Sequence, residues 1–516
     1  MPADPIDPAT PINPGDPELG DRLDPGDPRD PLGLRRDAPL LDAWLSFTSA
    51  ARAGRLTPFT IPGHKQRTGL VGEVVSGDVP LYAGVDTMKQ SGGVLAEAER
   101  RAGQLWGADW CRFSVGGSTH GNQAVALAVG SPGRPVVVSR TLHRSVLLGL
   151  VLAGLDPVWV RPELDPVTGL PGGVAPAAVA AALAAHPDAC AVMVGDPSYA
   201  GGCGDVVGLA AAAHAAGVPL VVDAAWAAHF GFHPDLPPHA LACGADAVVT
   251  SAHKTLPAWS QAAIVLARTT RSGGLLDPDR LDRGFEATHT TSPTGTILAS
   301  TDAARALLAA HGKELCGRLV RLVAGARSQL AAVPGLAVLE SHPGLAVDPA
   351  KLVVQLAGTG AHGHAVEADL IAAGLPVEMA DRDTLIAMVT LADDSDTVAA
   401  FVDALVSAVE RHRGPARTAA PSSAWTVDPI VAMSPRAAFF AAHEQVAGDA
   451  AVGRVSAELI CPYPPGVPVL APGEVVTAEA LAALRAARAD GGRIAYAADP
   501  TLATLQVVAV TDAARD

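Results

Sequence analysis

The stretch VVTSAHKTLPAWSQAAIVL, from Val248 to Leu266, consists of two apolar segments separated by a short polar one. The polar part includes Ser251, His253 and Lys254, and Lys254 is one of five lysines in 516 residues. Burying a charged amine between apolar segments is costly, so burial lowers its pKa. A lowered pKa increases the share of neutral, nucleophilic amine. Lys254 is therefore a candidate catalytic residue.

Similar apolar segments recur on both sides of this stretch, separated by alanine-rich regions. They span residues 135–139, 157–162, 189–197, 218–226, 245–254 and 262–268. Several are continuously apolar, which is typical of strands that helices cover on both faces. The pattern predicts an α/β fold with a mostly parallel sheet. Ligands of such sheets bind beyond the carboxyl ends of the strands, where Lys254 is expected.

The chain is too long for one hydrophobic core, and changes in composition indicate its divisions. Residues 1–35 repeat Asp-Pro and hold few apolar side chains, which predicts a disordered tail. A large domain is expected over 36–295 and a smaller α+β domain over 296–412. A linker by composition, 413–430, precedes a C-terminal α+β domain over 431–516.

Charge and residue usage exclude several classes of protein. A formal net charge of −16 argues against a nucleic-acid partner. Without a long apolar run or a basic, apolar N-terminal segment, we expect a cytoplasmic protein with no membrane partner.

The six cysteines lack CxxC spacing and are typical of free thiols. His229, His233 and His239 lack further ligands at metal-binding spacing, so we predict no metal site.

A second candidate, Asp223, ends the segment VPLVVD, one predicted unit before Lys254. A carboxylate at a strand end can simply cap the following helix. It can also pair with the ring nitrogen of pyridoxal phosphate, whose protonated ring then acts as an electron sink. Lysine amines attack the carbonyl carbon of the same cofactor. The order of Asp223 and Lys254 fits that pair of roles.

Two further elements carry polar residues at strand-to-helix junctions. In GGSTHGN (116–122), glycines and hydroxyls precede an alanine-rich helix. Ser118 and Thr119 could hold a phosphate with the helix N-terminal amides, or the segment could be a flexible loop with an N-cap. His143 opens the next predicted helix, where it is either a helix-terminal residue or faces a planar cofactor.

Taken in order, these motifs resemble those of the Orn/Lys/Arg decarboxylase family, which comprises fold-type I pyridoxal-phosphate enzymes. The similarity extends from Pro58 to Glu474 through PFTIPGHKQ, SVGGSTHGNQA, SRTLHRSV, GDPSYAGGCGDV, PLVVDAAWAAHFGFHPDLP, TSAHKTLPAWSQAA, HTTSPTGTILASTDAAR and AVGRVSAELICPYPPGVPVLAPGE. The resemblance implies a fold-type I large domain followed by smaller α+β and C-terminal domains. It also implies decarboxylation of arginine, ornithine or lysine to an amine and CO2, as in polyamine metabolism.

The resemblance assigns roles to individual residues. Lys254 is expected to bond covalently to pyridoxal phosphate, and Asp223 to pair with its ring nitrogen. The other residues implied for the cofactor site are His143 against the ring, Trp226 beside it, and Ser118, Thr119, Ser251 and His253 at the phosphate. These assignments follow from the family motifs, not from spacing alone.

The family places its active site between two subunits, so the resemblance implies a homodimer or a larger oligomer. Thr291 and Ser292 in the TTSP segment are expected to reach the cofactor phosphate of the neighbouring subunit. Relatives commonly have tyrosine where Gly295 stands, and many have Asp-Glu-Ala-His where this chain has Asp-Ala-Ala-Trp (223–226).

The substrate and the reaction are less closely determined. A basic amino acid needs a carboxylate for its distal cation, and the candidates are Glu458, Asp86 and Glu474, each of which could instead be structural. One alternative is another pyridoxal-phosphate reaction, that of a lyase or aminotransferase, because a fold does not determine a reaction. Another is a non-catalytic paralogue that regulates an active relative.

Overall fold

The computed structural model describes residues 28–79, 93–166, 168–418, 427–463 and 467–510. The predicted tail lies mostly outside these ranges. Its last part departs from the prediction, because residues 28–36 form a turn and a short 3-10 helix. Asp30 is buried there and accepts hydrogen bonds from the amides of Leu34 and Arg35, at 2.7 and 3.1 Å.

The large domain alternates strands with helices. Its strands are β1 (Trp110–Ser114), β2 (Pro135–Ser139), β3 (Asp156–Val160), β4 (Pro162–Leu164), β5 (Pro171–Val174), β6 (Val192–Gly195), β7 (Gly202–Cys203), β8 (Leu220–Asp223), β9 (Ala247–Ser251) and β10 (Ala263–Ala267). Its helices are α1 (Pro39–Arg52), α2 (Val94–Trp106), α3 (Gly117–Val129), α4 (Arg144–Ala153), α5 (Pro176–Ala185), α6 (Val206–Ala215), α7 (Ala252–Thr255) and α8 (Pro278–Thr288).

Seven of these strands form one sheet in the order β1-β10-β9-β8-β6-β2-β3. The five strands from β9 to β3 are parallel, and every residue of β8, β9 and β10 is buried. The continuous apolar segments of the sequence thus form strands that are covered on both faces. The predicted α/β fold class is confirmed.

Of the seven strands of this sheet, β10 runs opposite to the other six, between β9 and the edge strand β1. β10 pairs with β9 antiparallel, with Ala263 opposite Ser251, and β1 pairs with β10 in the same sense. The link between β9 and β10 is the short segment 252–262, which cannot make the crossover that a parallel neighbour requires. Lys254 therefore lies in a tight connection at the carboxyl end of β9.

The smaller domain begins with α9 (Gly295–Ala331), a single helix where the sequence allowed one or two. The remaining elements are β11 (Ala337–Val338), β12 (Ala346–Val347), β13 (Lys351–Gln355), α10 (Gly363–Ala372), β14 (Met379–Ala380), β15 (Thr384–Met388) and α11 (Ser395–Arg411). Four strands form an antiparallel sheet in the order β11-β13-β15-β14, while β12 pairs with β7 of the large domain. That pairing ties the two domains together next to the carboxyl end of β6.

The first part of the predicted linker packs on the smaller domain. Arg417 donates to the carbonyl oxygens of Gly360 and Ala361 and pairs with Asp383 at 2.8 Å. Residues 419–426 lie outside the described ranges. These contacts make residues 413–418 part of a folded unit, where composition alone predicted linker.

The C-terminal part contains α12 (Pro435–Phe440), β16 (His443–Ala447), β17 (Cys461–Tyr463), α13 (Ala478–Ala489), β18 (Arg493–Ala495) and β19 (Thr504–Val508). It has a hydrophobic core of its own, which includes Ile460, Leu481 and Val507. Among the described residues, no helix is long and apolar enough to cross a membrane.

Candidate active site

A cavity of about 610 Å³ lies at the carboxyl ends of β6, β8 and β9. Its walls come from the loop before α3, the start of α4, the residues that follow β6 and β8, and the β9–β10 connection. Glu378 of the smaller domain and Val467 and Tyr496 of the C-terminal part complete the lining. All three structural units therefore contribute to one site.

Lys254 enters the cavity from α7, directly after β9. Its side chain is half-buried, and Nζ lies 3.8 Å from the ring centroid of Trp226. Burial lowers the pKa of the amine below its ordinary value, while the charges of Asp223 and Glu378 act in the opposite direction. The position suits an amine that must be neutral to attack a carbonyl carbon.

Asp223 is the last residue of β8 and is only 8% exposed. The Asn122 side-chain amide donates to its Oδ2 at 2.8 Å. Its Oδ1 is buried and has no hydrogen-bond partner among the described residues. Burial raises the pKa of this carboxyl, and the nearby charges of His143 and Lys254 lower it. An unsatisfied acceptor facing a cavity fits a ligand that brings an N–H donor, as a protonated pyridine ring does.

His143 is the N-cap residue of α4 and lines the cavity. Its Nδ1 lies 2.8 Å from the Ser145 hydroxyl oxygen, which also accepts a hydrogen bond from Asn122 at 3.0 Å. The ring is open to the cavity, but the protein atoms around it lower its pKa by desolvation. The imidazole is thereby held in one orientation, with the neutral form favoured.

The start of α3 has the geometry of an anion site. Gly117 has a φ of 69°, and a Cβ on Gly116 would lie 2.8 Å from the Cβ of His120, so both positions favour glycine. The Ser118 hydroxyl lies 2.7 Å from the Ser251 hydroxyl, which joins α3 to β9. N-terminal amides and hydroxyls in this arrangement suit a phosphate group.

Two other predicted phosphate residues, Thr119 and His253, line the same cavity. His253 Nδ1 lies 2.8 Å from the carbonyl oxygen of Ala262. Desolvation lowers the pKa of this histidine. The structure thus brings together the residues predicted for the cofactor within one chain: Lys254, Asp223, His143, Trp226, Ser118, Thr119, Ser251 and His253.

The remaining predicted residues lie elsewhere. Thr291 and Ser292 are exposed between α8 and α9 and are not among the described residues that line the cavity. Their expected role concerns a neighbouring subunit and stays a prediction. Asp86 lies outside the described residues.

The two glutamates proposed for the substrate have structural contacts instead. Glu458 accepts hydrogen bonds from the amides of Ala498 and Gln506, both at 2.7 Å, and is not among the described residues that line the cavity. Glu474 is buried in a two-point ion pair with Arg140, at 2.6 and 2.9 Å. Glu458 thus binds backbone within the C-terminal part, and Glu474 joins that part to the large domain. Neither is among the described residues that line the cavity, and their role toward the substrate stays a prediction.

Gly295, where relatives commonly have tyrosine, is the first residue of α9. Its amide donates to the carbonyl oxygen of Val79 at 2.9 Å, and a Cβ would lie at the same distance from that oxygen. A larger side chain would displace the backbone at Val79. The close contact explains why glycine is needed in this chain.

Two residues near the cavity, Glu378 and Lys351, were not identified from the sequence. Glu378 lines it and accepts a hydrogen bond from the Tyr199 hydroxyl at 3.0 Å. Lys351, at the start of β13, places Nζ 3.6 Å from the Trp226 ring centroid. Glu378 and Lys351 belong to the smaller domain and lie in no motif that marks them. A lysine beside an apolar strand, as in KLVVQ, was the available signal for Lys351.

The fold and the site together place this chain in the fold-type I class of α/β enzymes. The features that define this class here are the strand order of the sheet, the aspartate that ends β8 and the lysine that follows β9. Comparison with known families narrows this class. The Orn/Lys/Arg decarboxylase major domain matches residues 50–365, and the C-terminal domain of the same family matches residues 419–490. The chain belongs to the Orn/Lys/Arg decarboxylase family and is an amino-acid decarboxylase.

Individual relatives agree with this assignment. An arginine decarboxylase of Halalkalibacterium halodurans is 33% identical over 472 residues, covering 89% of this chain and 95% of that protein. An arginine decarboxylase of Bacillus subtilis is 31% identical, covering 82% and 88%. Among solved structures, lysine decarboxylase A from Pseudomonas aeruginosa superposes with a TM-score of 0.76 at 22% identity, covering 92% of this chain and 81% of that one. The last likeness supports the fold.

Proposed function

We propose that this chain binds pyridoxal phosphate covalently through Lys254 and decarboxylates arginine to agmatine and CO2. The observation that carries the proposal is that Lys254 and the unsatisfied Oδ1 of Asp223 belong to the same cavity. The substrate is supported by the arginine decarboxylases that are about 30% identical over most of this chain. Family membership favours this reaction over the lyase, aminotransferase and regulatory alternatives.

When bound, pyridoxal phosphate supplies a ring that accepts the electron pair left by the departing carboxylate. Asp223 keeps a proton on the ring nitrogen by accepting its hydrogen bond, and Asn122 holds Asp223 in place. Lys254 would hold the cofactor through its amine, in the neutral form that burial favours. The α3 amides, the hydroxyls of Ser118, Thr119 and Ser251, and His253 hold the phosphate.

His143, at the start of α4, would orient the cofactor ring, and Trp226 lies against the Lys254 amine. We also propose a homodimer with a shared site. Its support is a run of exposed apolar side chains that one chain leaves uncovered: Phe59, Ile61, Leu70, Val71, Val74 and, beside the cavity, Trp259.

The test is incubation of the purified, cofactor-loaded protein with arginine, ornithine and lysine separately, measuring CO2 and the amine formed. We expect agmatine from arginine. Lys254→Ala should lose both activity and the visible absorbance of covalently held cofactor, because Lys254 is the one lysine among the described residues that line the cavity. Lys313→Ala, at an exposed lysine of α9, is the matched control and should change neither.

Failure of arginine to yield CO2 would refute the proposed substrate. CO2 from lysine or ornithine instead would keep the reaction and replace the substrate. Retention of the visible absorbance by Lys254→Ala would refute the role of that lysine.

A further inference from the structure

Two lysine amines lie against the same ring, that of Trp226. Nζ of Lys254 lies 3.8 Å from the ring centroid, and Nζ of Lys351 lies 3.6 Å from it. Lys254 faces the cavity, whereas Lys351 begins β13 of the smaller domain and is not among the described residues that line the cavity. A buried amine and the amine of the active site are thus separated by no more than one indole ring.

The position of Lys351 is fixed along its whole length. Its carbonyl oxygen accepts a hydrogen bond from Arg327 at 2.6 Å, and its amide donates to the carbonyl oxygen of Asp348 at 3.1 Å. A Cβ on Gly201 would lie 3.0 Å from both Cβ and Cγ of Lys351, so the aliphatic stem packs directly on that glycine. The backbone and the stem therefore hold the amine against Trp226.

No carboxylate of the described residues forms an ion pair with the Lys351 amine. Its hydrogen bond there is to the Met388 sulfur at 3.5 Å, which is a weak acceptor for a group with three donors. The Asp348 carboxylate is instead paired with His229 at 3.4 Å and accepts from the Ala350 amide at 2.9 Å. Burying a charge without a partner is costly, so a structural ion pair does not account for this lysine.

The charges of the two amines act on each other. Like charges held close together repel more strongly in a partly desolvated site than in water. Burial lowers the pKa of Lys351 to about 8, and the charge of Lys254 acts in the same direction. Coupling of this kind is reciprocal, so a proton on Lys351 lowers the pKa of Lys254 in turn. Below about pH 8, where Lys351 is mostly protonated, this effect on Lys254 is strongest.

We infer that Lys351 is a positioning residue whose charge, held against Trp226, favours the neutral form of the Lys254 amine. The inference rests on the proposed function, because the neutral amine is the form that attacks a carbonyl carbon. Asp223 and Glu378 favour the protonated form of Lys254, so a cation is needed to oppose them. The charged and titratable groups that face the two amines are Asp223, Glu378, Asp348, His143 and His253.

The decisive variant is Lys351→Met, which keeps an unbranched side chain but removes the charge. Labelling lysine with 13C at Cε makes the five lysines of the chain visible by NMR, and loss of one signal in Lys254→Arg identifies that of Lys254. In protein freed of cofactor, we expect the titration of Lys254 in Lys351→Met to move to higher pH, because the opposing charge is gone.

The same variant should change how fast the active-site lysine reacts. The rate at which Lys254 bonds to added pyridoxal phosphate at pH 7, followed by visible absorbance, should fall about 10-fold in Lys351→Met, since less of the amine is neutral. Lys351→Arg keeps a positive charge and should keep the titration and the rate near wild type. Lys313→Met, at an exposed lysine of α9, is the matched control and should change neither.

An unchanged titration of Lys254 in Lys351→Met would overturn this inference and leave the proposed function standing. Slower bonding of the cofactor in both Lys351→Met and Lys351→Arg, with the titration of Lys254 unchanged in each, would overturn it in favour of a role in packing. Retention of the visible absorbance by Lys254→Ala would overturn the proposed function and, with it, the purpose assigned to Lys351.

Discussion

Lys351 shows how strongly position changes the chemistry of one residue. It is 4% exposed on β13, and its Nζ lies against Trp226 and 3.5 Å from the Met388 sulfur. Burial lowers the pKa of this lysine to about 8, although the charges of Asp348 and Glu378 act against the shift. A polar strand residue thus becomes a group that titrates near neutral pH.

Replacing this lysine tests the effect of burial on stability. Between about pH 8 and 10.5 the unfolded chain keeps a proton on this lysine that the folded chain has lost, so wild-type stability rises with pH. Lys351→Met has no such group. We expect its free energy of unfolding relative to wild type to fall by about 3 kcal/mol as pH rises through that interval. Calorimetric unfolding across this pH range measures the change.

Lys313→Met, at an exposed lysine, should show no such dependence on pH. A difference between Lys351→Met and wild type that stays constant with pH would show that the folded and unfolded chains bind this proton alike.

At the scale of elements, the packing of α3 on the sheet brings the loop at the start of this helix into the same cavity as Lys254. A Cβ on Gly121 would lie 2.7 Å from Val249 Cγ1 of β9 and 2.9 Å from Val265 Cγ2 of β10. Glycine therefore allows the helix to approach close enough for Ser118 to reach Ser251 at 2.7 Å. The site depends on this contact between helix and strands as much as on the polar residues themselves.

Gly121→Ala should destabilise the protein by about 1–3 kcal/mol, because both valines are buried on strands and cannot move away from the added methyl group. It should also weaken the affinity for pyridoxal phosphate, since Ser118 moves with the helix. Denaturant unfolding and cofactor titration measure the two effects. Gly325→Ala, in α9, adds a methyl group to open space and should stabilise by up to about 1 kcal/mol. Equal stability of the two variants would contradict the packing argument.

At the scale of the whole molecule, the C-terminal part closes the cavity. Arg140, directly after β2, pairs with Glu474 at two points and donates to the Val469 carbonyl oxygen at 3.1 Å. The same part supplies Val467 and Tyr496 to the lining. A buried ion pair between two structural units thus holds one wall of the active site.

Glu474→Ala should cost about 3–5 kcal/mol, because it leaves the Arg140 charge buried without its partner. We expect the C-terminal part to unfold before the rest, seen in calorimetry as an early transition, and kcat/KM to fall because the wall loosens. Glu479→Ala, at an exposed glutamate in the first turn of α13, should behave as wild type. A single transition at the wild-type temperature in Glu474→Ala would disprove this account of the interface.

The amino-acid sequence by itself determined the α/β class and the placement of Lys254 and Asp223 at strand ends. The reason is local: continuous apolar segments become buried strands, and the residues that end parallel strands meet at one edge of the sheet. It could not determine the reversed direction of β10, which depends on the short connection after β9.

Only the tertiary structure decided which other residues meet there. Glu378 and Lys351 come from a domain that packs against the cavity, and no motif indicated them. Glu458 and Glu474 were proposed from their motif. In the structure, Glu458 accepts hydrogen bonds from backbone amides and Glu474 pairs with Arg140. The packing of the domains determines which residues that are distant in sequence become neighbours in the site. The position of Lys254 could be predicted from the sequence, but the positions of Glu378 and Lys351 beside it could not, because they depend on that packing.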